Sequence, residues 1–523
     1  MKIAAGHSDI NAAKILRYID EARTAGAKAI IFPKSAIAGQ MIGDTCRQKS
    51  FLRECISYGE EIAAAARDLT VVFGNINLDG ENIFCVARDG IISEIAEGEI
   101  SCAGVDVKLI SEPFSITKDF SCTVDGRPLI RVGSIGLQNT GKTVYTFDGA
   151  SAVFNSRGEV VQCVEPFTEA INFIETDDID KMPVVTSVDE DEPTKIYRAV
   201  SFGVKNFLEQ IGMKKVVIGV SGGIDSAITS ALYTKILGAE NVLLVNMPSV
   251  YNSATTRNLS EQLAKNLGCK YCVVPIQESV NWTVKQLEST TITLLGDGST
   301  EQIKLSGFVR ENVQARDRSS RILAALSAAI GGGFTCNANK AETSVGYATL
   351  YGDEAGFLCA FADIWKFQVY ALANYMNDKI YGREVIPQGI IDIVPSAELS
   401  DAQNVDEGKG DPLKYDYHDY LLRAFAERDL TPEDILNWYA ADAVEKNIGC
   451  ADGLVKKYFA TAEDFITDLE RWWKQFTGMG VVKRIQSPPL LAVTDKPYGA
   501  RRESQNLCHF TRAYLELKDK LTR

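Results

Sequence analysis

Residues 216–226 read VVIGVSGGIDS, and this stretch decides the fold of the larger part of the chain. A β-branched run, Val216 to Val220, predicts a buried strand that ends in the loop Ser221, Gly222, Gly223, Ile224, Asp225, Ser226. A helical pattern comes next, with Ile228, Ala231, Leu232 and Ile236 on one face and Gly238 where a helix would stop. Strand, glycine loop and helix in that order form a phosphate cradle. Glycines let the backbone approach an anion, loop N–H groups point inward, and the helix N-terminus adds partial positive charge. Ser221 and Ser226 add hydroxyl donors, and the Asp225 carboxylate suits Mg²⁺. No lysine lies in the loop, which separates it from the Walker type.

At 523 residues the chain is long enough for two cores. Its 46% apolar and 24% charged content is that of an ordinary globular protein. No apolar run is long enough for a membrane span, and the first residues lack a signal-peptide core, so a cytoplasmic location is expected. Twelve cysteines show no framework spacing, as suits free thiols in a reducing compartment. The net charge of −14 argues against a nucleic-acid partner. The acidic stretch ETDDIDKMPVVTSVDEDEPTK holds two prolines and reads as a linker, placed at 181–193 between domains 1–180 and 194–523. The second domain alternates strand and helix, which predicts a doubly wound parallel α/β sheet with its ligand at the carboxyl ends of the strands. There Ser253 reads as the N-cap of a helix closed by Gly268. Cys269 and Cys272 give two ligands of the four that zinc wants, so strand-edge thiols are expected instead. Between 311 and 366, Asn312, Arg316, Arg318, Asn337, Asn339, Lys340, Glu342, Asp353, Asp363 and Lys366 crowd among small and aromatic residues. Packing alone does not explain that density, because buried charges need partners.

The loop resembles the SGGxDS signature of the PP-loop ATP pyrophosphatases, which split ATP to AMP and pyrophosphate. SGGIDS, MPSVYNS (247–253), ENVQAR (311–316), NANKAE (337–342) and GYATLYGD (346–353) then resemble, in order, the motifs of the NAD synthetase family. PSAEL (395–399), GDPLKYDYHDYLL (410–422) and KRIQSPPLLAVTDKPYGARRES (483–504) are similar to further segments. The resemblance implies a ligase that adenylates deamido-NAD with ATP and Mg²⁺ and then aminates it to NAD. It implies ATP on Gly219, Val220, Ser221, Gly222, Gly223, Ile224, Asp225, Ser226, Asn337, Lys366 and Ser396. It places deamido-NAD near Asn312, Arg316, Glu342 and Asp353, and the metal on Asp225 and Glu342, with no covalent catalytic residue. Some relatives carry threonine at the place of Asn337. A homodimer or larger assembly is expected on the same ground. The polar stretch 398–416 reads as a segment that orders over the substrates.

The first domain resembles a nitrilase-like glutaminase, whose cysteine attacks glutamine with glutamate as base and lysine steadying the oxyanion. Where that family has a glutamate, in a motif like FPELALTG, this chain reads FPKSAIAG with Lys34. No lysine occurs from residue 50 to 107, and Cys85 and Cys102 lack the expected setting ahead of ISEPFSITKD (110–119). The domain is also short for the family. A truncated, inactive relative is therefore expected, with ammonia arriving free or from an external glutaminase. A glutamine-dependent enzyme with a rearranged set, or another PP-loop amidotransferase, are the alternatives. One decoy remains: Gly136 to Thr143 matches the Walker A pattern, but the residues after it predict a strand and not the helix a phosphate loop needs.

Overall fold

The computed structural model describes residues 1–95, 100–102, 104–118, 121–186, 190–499 and 507–523. The remainder lies outside the description, as does the side chain of Cys102; part of the linker and residues 500–504 of the KRIQSPPLLAVTDKPYGARRES stretch go with it. The chain forms two compact units, Met1–Phe207 with Ala492–Asp495, and Leu208–Leu491 with Lys496–Arg523. The division falls inside helix Glu192–Ile211.

In the first unit, helices Ser8–Thr24 and Lys49–Ala65 accompany a four-stranded sheet. Its order is Ala29–Ile31, Thr70–Ile76, Asn82–Arg88, Ile91–Ile95, with the first pair parallel and the others antiparallel. Thr70–Ile76 is buried along nearly its whole length, as a central strand made of LTVVFGNI should be. A second sheet orders Val160–Cys163, Ala152–Phe154, Leu129–Gly133, Val105–Ile110 and Ser101–Cys102. Val105–Ile110 and Leu129–Gly133 run parallel, and no helix links them among the described residues. The Walker-like string is a hairpin: Ile135–Thr140 pairs antiparallel with Thr143–Asp148, and Gly141 (φ +56°) and Lys142 make the turn. It opens no helix, so its N–H groups are spent on a ladder and not on an anion.

The second unit is built on four parallel strands in the order Lys270–Val273, Val242–Asn246, Val216–Gly219, Gly333–Phe334. Val216, Val217 and Ile218 are fully buried, and the glycine loop leaves the carboxyl end of this inner strand. Helix Ile224–Leu237 comes after the loop, and it departs from the expected one-faced pattern: every residue from Ser226 to Thr234 is buried. The small side chains Ser226, Ala227, Thr229, Ser230 and Ala231 allow neighbours to close around it. Ser253 caps helix Ala254–Leu267 by accepting from the Thr256 N–H at 3.1 Å, and Gly268 ends it in the left-handed region. Gly307–Arg316 continues through a widened π segment, Asp317–Leu323, into Ala324–Ala329. Such widened turns often mark functional sites, because they turn side chains off the regular helical faces. A largely helical cluster from Tyr415 onward packs around Trp365, Trp472, Phe465 and Tyr417.

Candidate functional site

Gly222 fixes the loop. It sits at φ +91°, and a Cβ there would meet the Thr256 backbone, 2.8 Å from both its Cα and its carbonyl carbon. Ser226 Oγ donates to the Gly223 carbonyl at 3.0 Å, and the Gly223 N–H donates to Ser221 Oγ at 3.2 Å. The two serines therefore brace the turn from within. Asn337 ties the strand end to the site, donating through Nδ2 to the Gly219 carbonyl at 3.0 Å and accepting from Thr335 Oγ1 at 2.9 Å.

The loop forms one wall of a cavity of about 280 Å³. Of the residues expected from sequence, Gly219 to Ser226, Asn337, Glu342, Asp353, Lys366 and Ser396 line it. Asn312 and Arg316 do not: Asn312 accepts from Thr349 Oγ1 at 2.8 Å, and exposed Arg316 donates to the Leu350 carbonyl at 3.0 Å. The charged wall residue on that helical run is Arg318, two positions on and inside the π segment. It donates to the Met247 carbonyl at 3.0 Å and to Asn252 Oδ1 at 3.1 Å. Burial pulls its guanidinium down to about 10, against the raising effect of Asp353, Asp317 and Glu398.

A charge cluster stands in this cavity. The Lys366 ammonium pairs with Asp225 Oδ2 and lies 3.4 Å from Glu342 Oε1. Asn339 Nδ2 donates to Asp225 Oδ1 at 3.0 Å, and the Tyr415 hydroxyl donates to Glu342 Oε1 at 3.3 Å. Burial pushes the Glu342 carboxyl up to about 8; Lys366 opposes the rise, while Asp225 and Asp411 add to it. Burial pulls the Lys366 ammonium down, but the flanking carboxylates of Asp225 and Glu342 outweigh that and hold it above its ordinary value. Among the described residues no three His, Cys, Asp or Glu side chains converge as a metal cage. Mg²⁺ needs less than a cage, since one or two carboxylates plus substrate phosphates suffice, and Asp225 with Glu342 meet that smaller demand.

Several residues in and behind the wall carry weight that single motifs did not signal. Asn339 caps helix Lys340–Val345 while holding Asp225, a role foreshadowed by its place three residues before Glu342. Glu398 is buried at φ +47° and accepts from the Ser253 N–H at 3.1 Å and Thr256 Oγ1 at 2.7 Å. Asp411 Oδ1 accepts from the Ala397 N–H and the Tyr347 hydroxyl, each at 3.0 Å. Glu398 and Asp411 thus pin the 398–416 stretch at the cavity. Ser396, expected on ATP, donates to the Gln403 carbonyl of that stretch at 2.6 Å. Lys340 and Asp363 are fully buried in a separate triad: Lys340 pairs with Asp363 at 2.6 Å and with the half-buried Glu427 at 2.8 Å.

In the first unit, Lys34 occupies the expected glutamate position, with its ammonium 5.6 Å from the Phe84 ring centre. Gln138 Oε1 accepts from the Gln40 and Met41 N–H groups at 2.9 and 2.8 Å and fixes the loop after it. Cys85 is 2% exposed, and burial, with Glu94 adding, pushes its thiol up to about 12. A thiol held protonated in that way is a poor nucleophile.

Residues 196–450 match the NAD synthase family. The chain is 29% identical to the glutamine-dependent NAD(+) synthetase of Xanthomonas campestris pv. campestris, over 83% of this chain and 88% of that protein. It is 27% identical to the protein of the same name from Thermotoga maritima, over 82% and 88%. Among solved structures it resembles a glutamine-dependent NAD+ synthetase from Acinetobacter baumannii in complex with ADP, with a TM-score of 0.64 at 23% identity over 98% of each chain. It also resembles one from Cytophaga hutchinsonii, with a TM-score of 0.73 at 16% identity over 100% of this chain and 99% of that one. The likeness establishes the fold: a nitrilase-like unit followed by a PP-loop α/β unit. Among the described residues no helix is long and apolar enough to cross a membrane.

Proposed function

We propose, for a chain whose residues 196–450 match the NAD synthase family, that the cavity uses ATP to convert the carboxylate of deamido-NAD to the amide of NAD. One observation carries the reading: the glycine loop, with its helix behind it, opens into the cavity that holds Asp225, Glu342 and Lys366. The nicotinate carboxylate attacks the α-phosphate, pyrophosphate leaves, and ammonia then displaces AMP from the adenylate. Loop N–H groups and the helix N-terminus hold the departing pyrophosphate, whose charge grows as the bond breaks. Lys366 supplies a cation in the same cavity, and Arg318 a second one. A Mg²⁺ held by Asp225 and Glu342 would neutralise phosphate charge there. The 398–416 stretch excludes water from the adenylate, which would otherwise hydrolyse.

The nitrogen source is ammonia, free or delivered by another protein. Lys34 at the glutamate position and the protonated, buried Cys85 support this. A second reading, glutamine as donor through a rearranged set, is favoured by the name of the relatives matched over 88% of their length. One assay separates them. The chain is incubated with deamido-NAD, ATP and Mg²⁺, with ammonium in one sample and glutamine in another, while AMP and NAD are monitored. Product with ammonium alone is expected. Product with glutamine at the ammonium rate would overturn the donor assignment, and no product with either would overturn the reaction.

A further inference from the structure

Lys366 stands in an unusual place for a lysine. It is the first residue of helix Lys366–Tyr375, where a cation opposes the helix dipole, so the helix gains nothing from its charge. The residues on either side of it are held in place. The Phe367 N–H donates to Asp419 Oδ2 at 2.8 Å, the Trp365 N–H to Gln368 Oε1 at 2.9 Å, and Trp365 Nε1 to Glu427 Oε1 at 2.8 Å. Only the four-carbon stem is left to move. The ammonium lies between Asp225 and Glu342, 4.9 Å from the Tyr415 ring centre, and the side chain is 4% exposed. It thus fills the position between the two carboxylates that suit a divalent cation, on the wall that carries the phosphate loop.

We propose that Lys366 is a resident counter-cation, holding the place between Asp225 and Glu342 until nucleotide phosphates draw its ammonium away, so that divalent cation and nucleotide enter the site together. Two carboxylates facing one position repel unless a positive charge lies between them. A tethered ammonium supplies it at no cost in translational freedom, whereas a free divalent ion must shed water and finds only two protein carboxylates. A bound triphosphate alters both sides of that balance. It offers the ammonium a more negative partner along the same wall, and it offers the metal its missing oxygens. Metal and nucleotide are then positively coupled, and each raises the affinity of the other by the same factor. The inference rests on the cavity binding a nucleoside triphosphate, but not on what the reaction makes.

The test is Mn²⁺ binding by the full chain, read from the electron-paramagnetic signal of the free aqueous ion. Without nucleotide, wild type should bind Mn²⁺ about tenfold or more weakly than Lys366→Met. Lys366→Gln should behave like the Met variant, and Lys366→Arg, which keeps the charge, like wild type. A structural role alone would make all three variants behave alike. A non-hydrolysable ATP analogue should bring wild type to the affinity of Lys366→Met. Circular dichroism identifies the folded variants, and either neutral variant suffices for the comparison. Equal Mn²⁺ affinity of wild type and the folded neutral variants without nucleotide would overturn the proposal. A gain in the neutral variants with no effect of the analogue on wild type would overturn the coupling to nucleotide while leaving the resident cation in place.

Discussion

Replacing Gly222 with alanine should damage the second unit through a collision that can be located atom by atom. An L-residue in the left-handed region costs about 1–2 kcal/mol. The new Cβ would also lie 2.8 Å from Thr256 Cα and its carbonyl carbon, with the carbonyl oxygen nearer still. These are backbone atoms of helix Ala254–Leu267, so no side chain can swing aside. Overpacking against rigid atoms adds about 1–3 kcal/mol, for a total of roughly 2–5 kcal/mol. Gly268→Ala is the control: φ is +73° there, and the nearest atom would be Ala239 Cβ at 4.0 Å, so strain acts without a clash. Urea unfolding of both variants, with ATP binding by calorimetry, separates the two costs. Gly222→Ala should lose about 1–3 kcal/mol more than Gly268→Ala, or relieve the clash by shifting the loop and losing ATP. Equal stability of the two variants with ATP binding intact would refute the reasoning.

Three further outcomes are expected. Asp225→Asn should lower kcat/KM by about 10²–10³ while unfolding free energy changes by only about 1–2 kcal/mol, because Lys366 keeps Glu342 as a partner; a larger stability loss than activity loss would contradict this. Burial raises the Asp419 carboxyl from 3.8 to about 7, so the folded chain holds that proton more tightly than the unfolded one. The stability from this group is whole below about pH 4 and is lost as pH climbs through about 7, up to a few kcal/mol, and Asp419→Asn should flatten that part of a pH series of urea titrations. Trypsin should cut at exposed Lys409 and Lys414 about tenfold more slowly with ATP present, if nucleotide firms the stretch pinned by Glu398 and Asp411; unchanged cleavage would remove its closing role.

The parts of this molecule that sequence revealed are those with local causes. The glycine loop needs its glycines where Gly222 stands at φ +91°, and Ser253 and Gly268 close their helix through bonds within a turn. The β-branched and aromatic residues just after the Walker-like string deny it a helix, and the string folds as a hairpin for the same reason. The features that sequence could not show depend on contacts far apart in the chain. Arg318 and not Arg316 reaches the cavity, inside a widened π segment that no helical periodicity anticipates. Glu398 meets Ser253 and Thr256 across some 145 residues. Helix Ile224–Leu237 looks one-faced in sequence because its small polar residues read as exposed, whereas their size lets neighbours pack on every side. Lys340, Asp363 and Lys366 stand together as one polar cluster in sequence, yet two of them form a buried triad with Glu427 and only the third enters the cavity.

The central claim, that the nicotinate carboxylate attacks the α-phosphate of ATP in this cavity, is tested most directly by an oxygen label. Deamido-NAD carrying ¹⁸O in its carboxylate is turned over with unlabelled ATP, Mg²⁺ and ammonium, and the products are weighed by mass spectrometry. The account predicts AMP bearing a single ¹⁸O, unlabelled pyrophosphate, and NAD that keeps the other label in its amide. Unlabelled AMP, or ADP and phosphate in place of AMP and pyrophosphate, would contradict it.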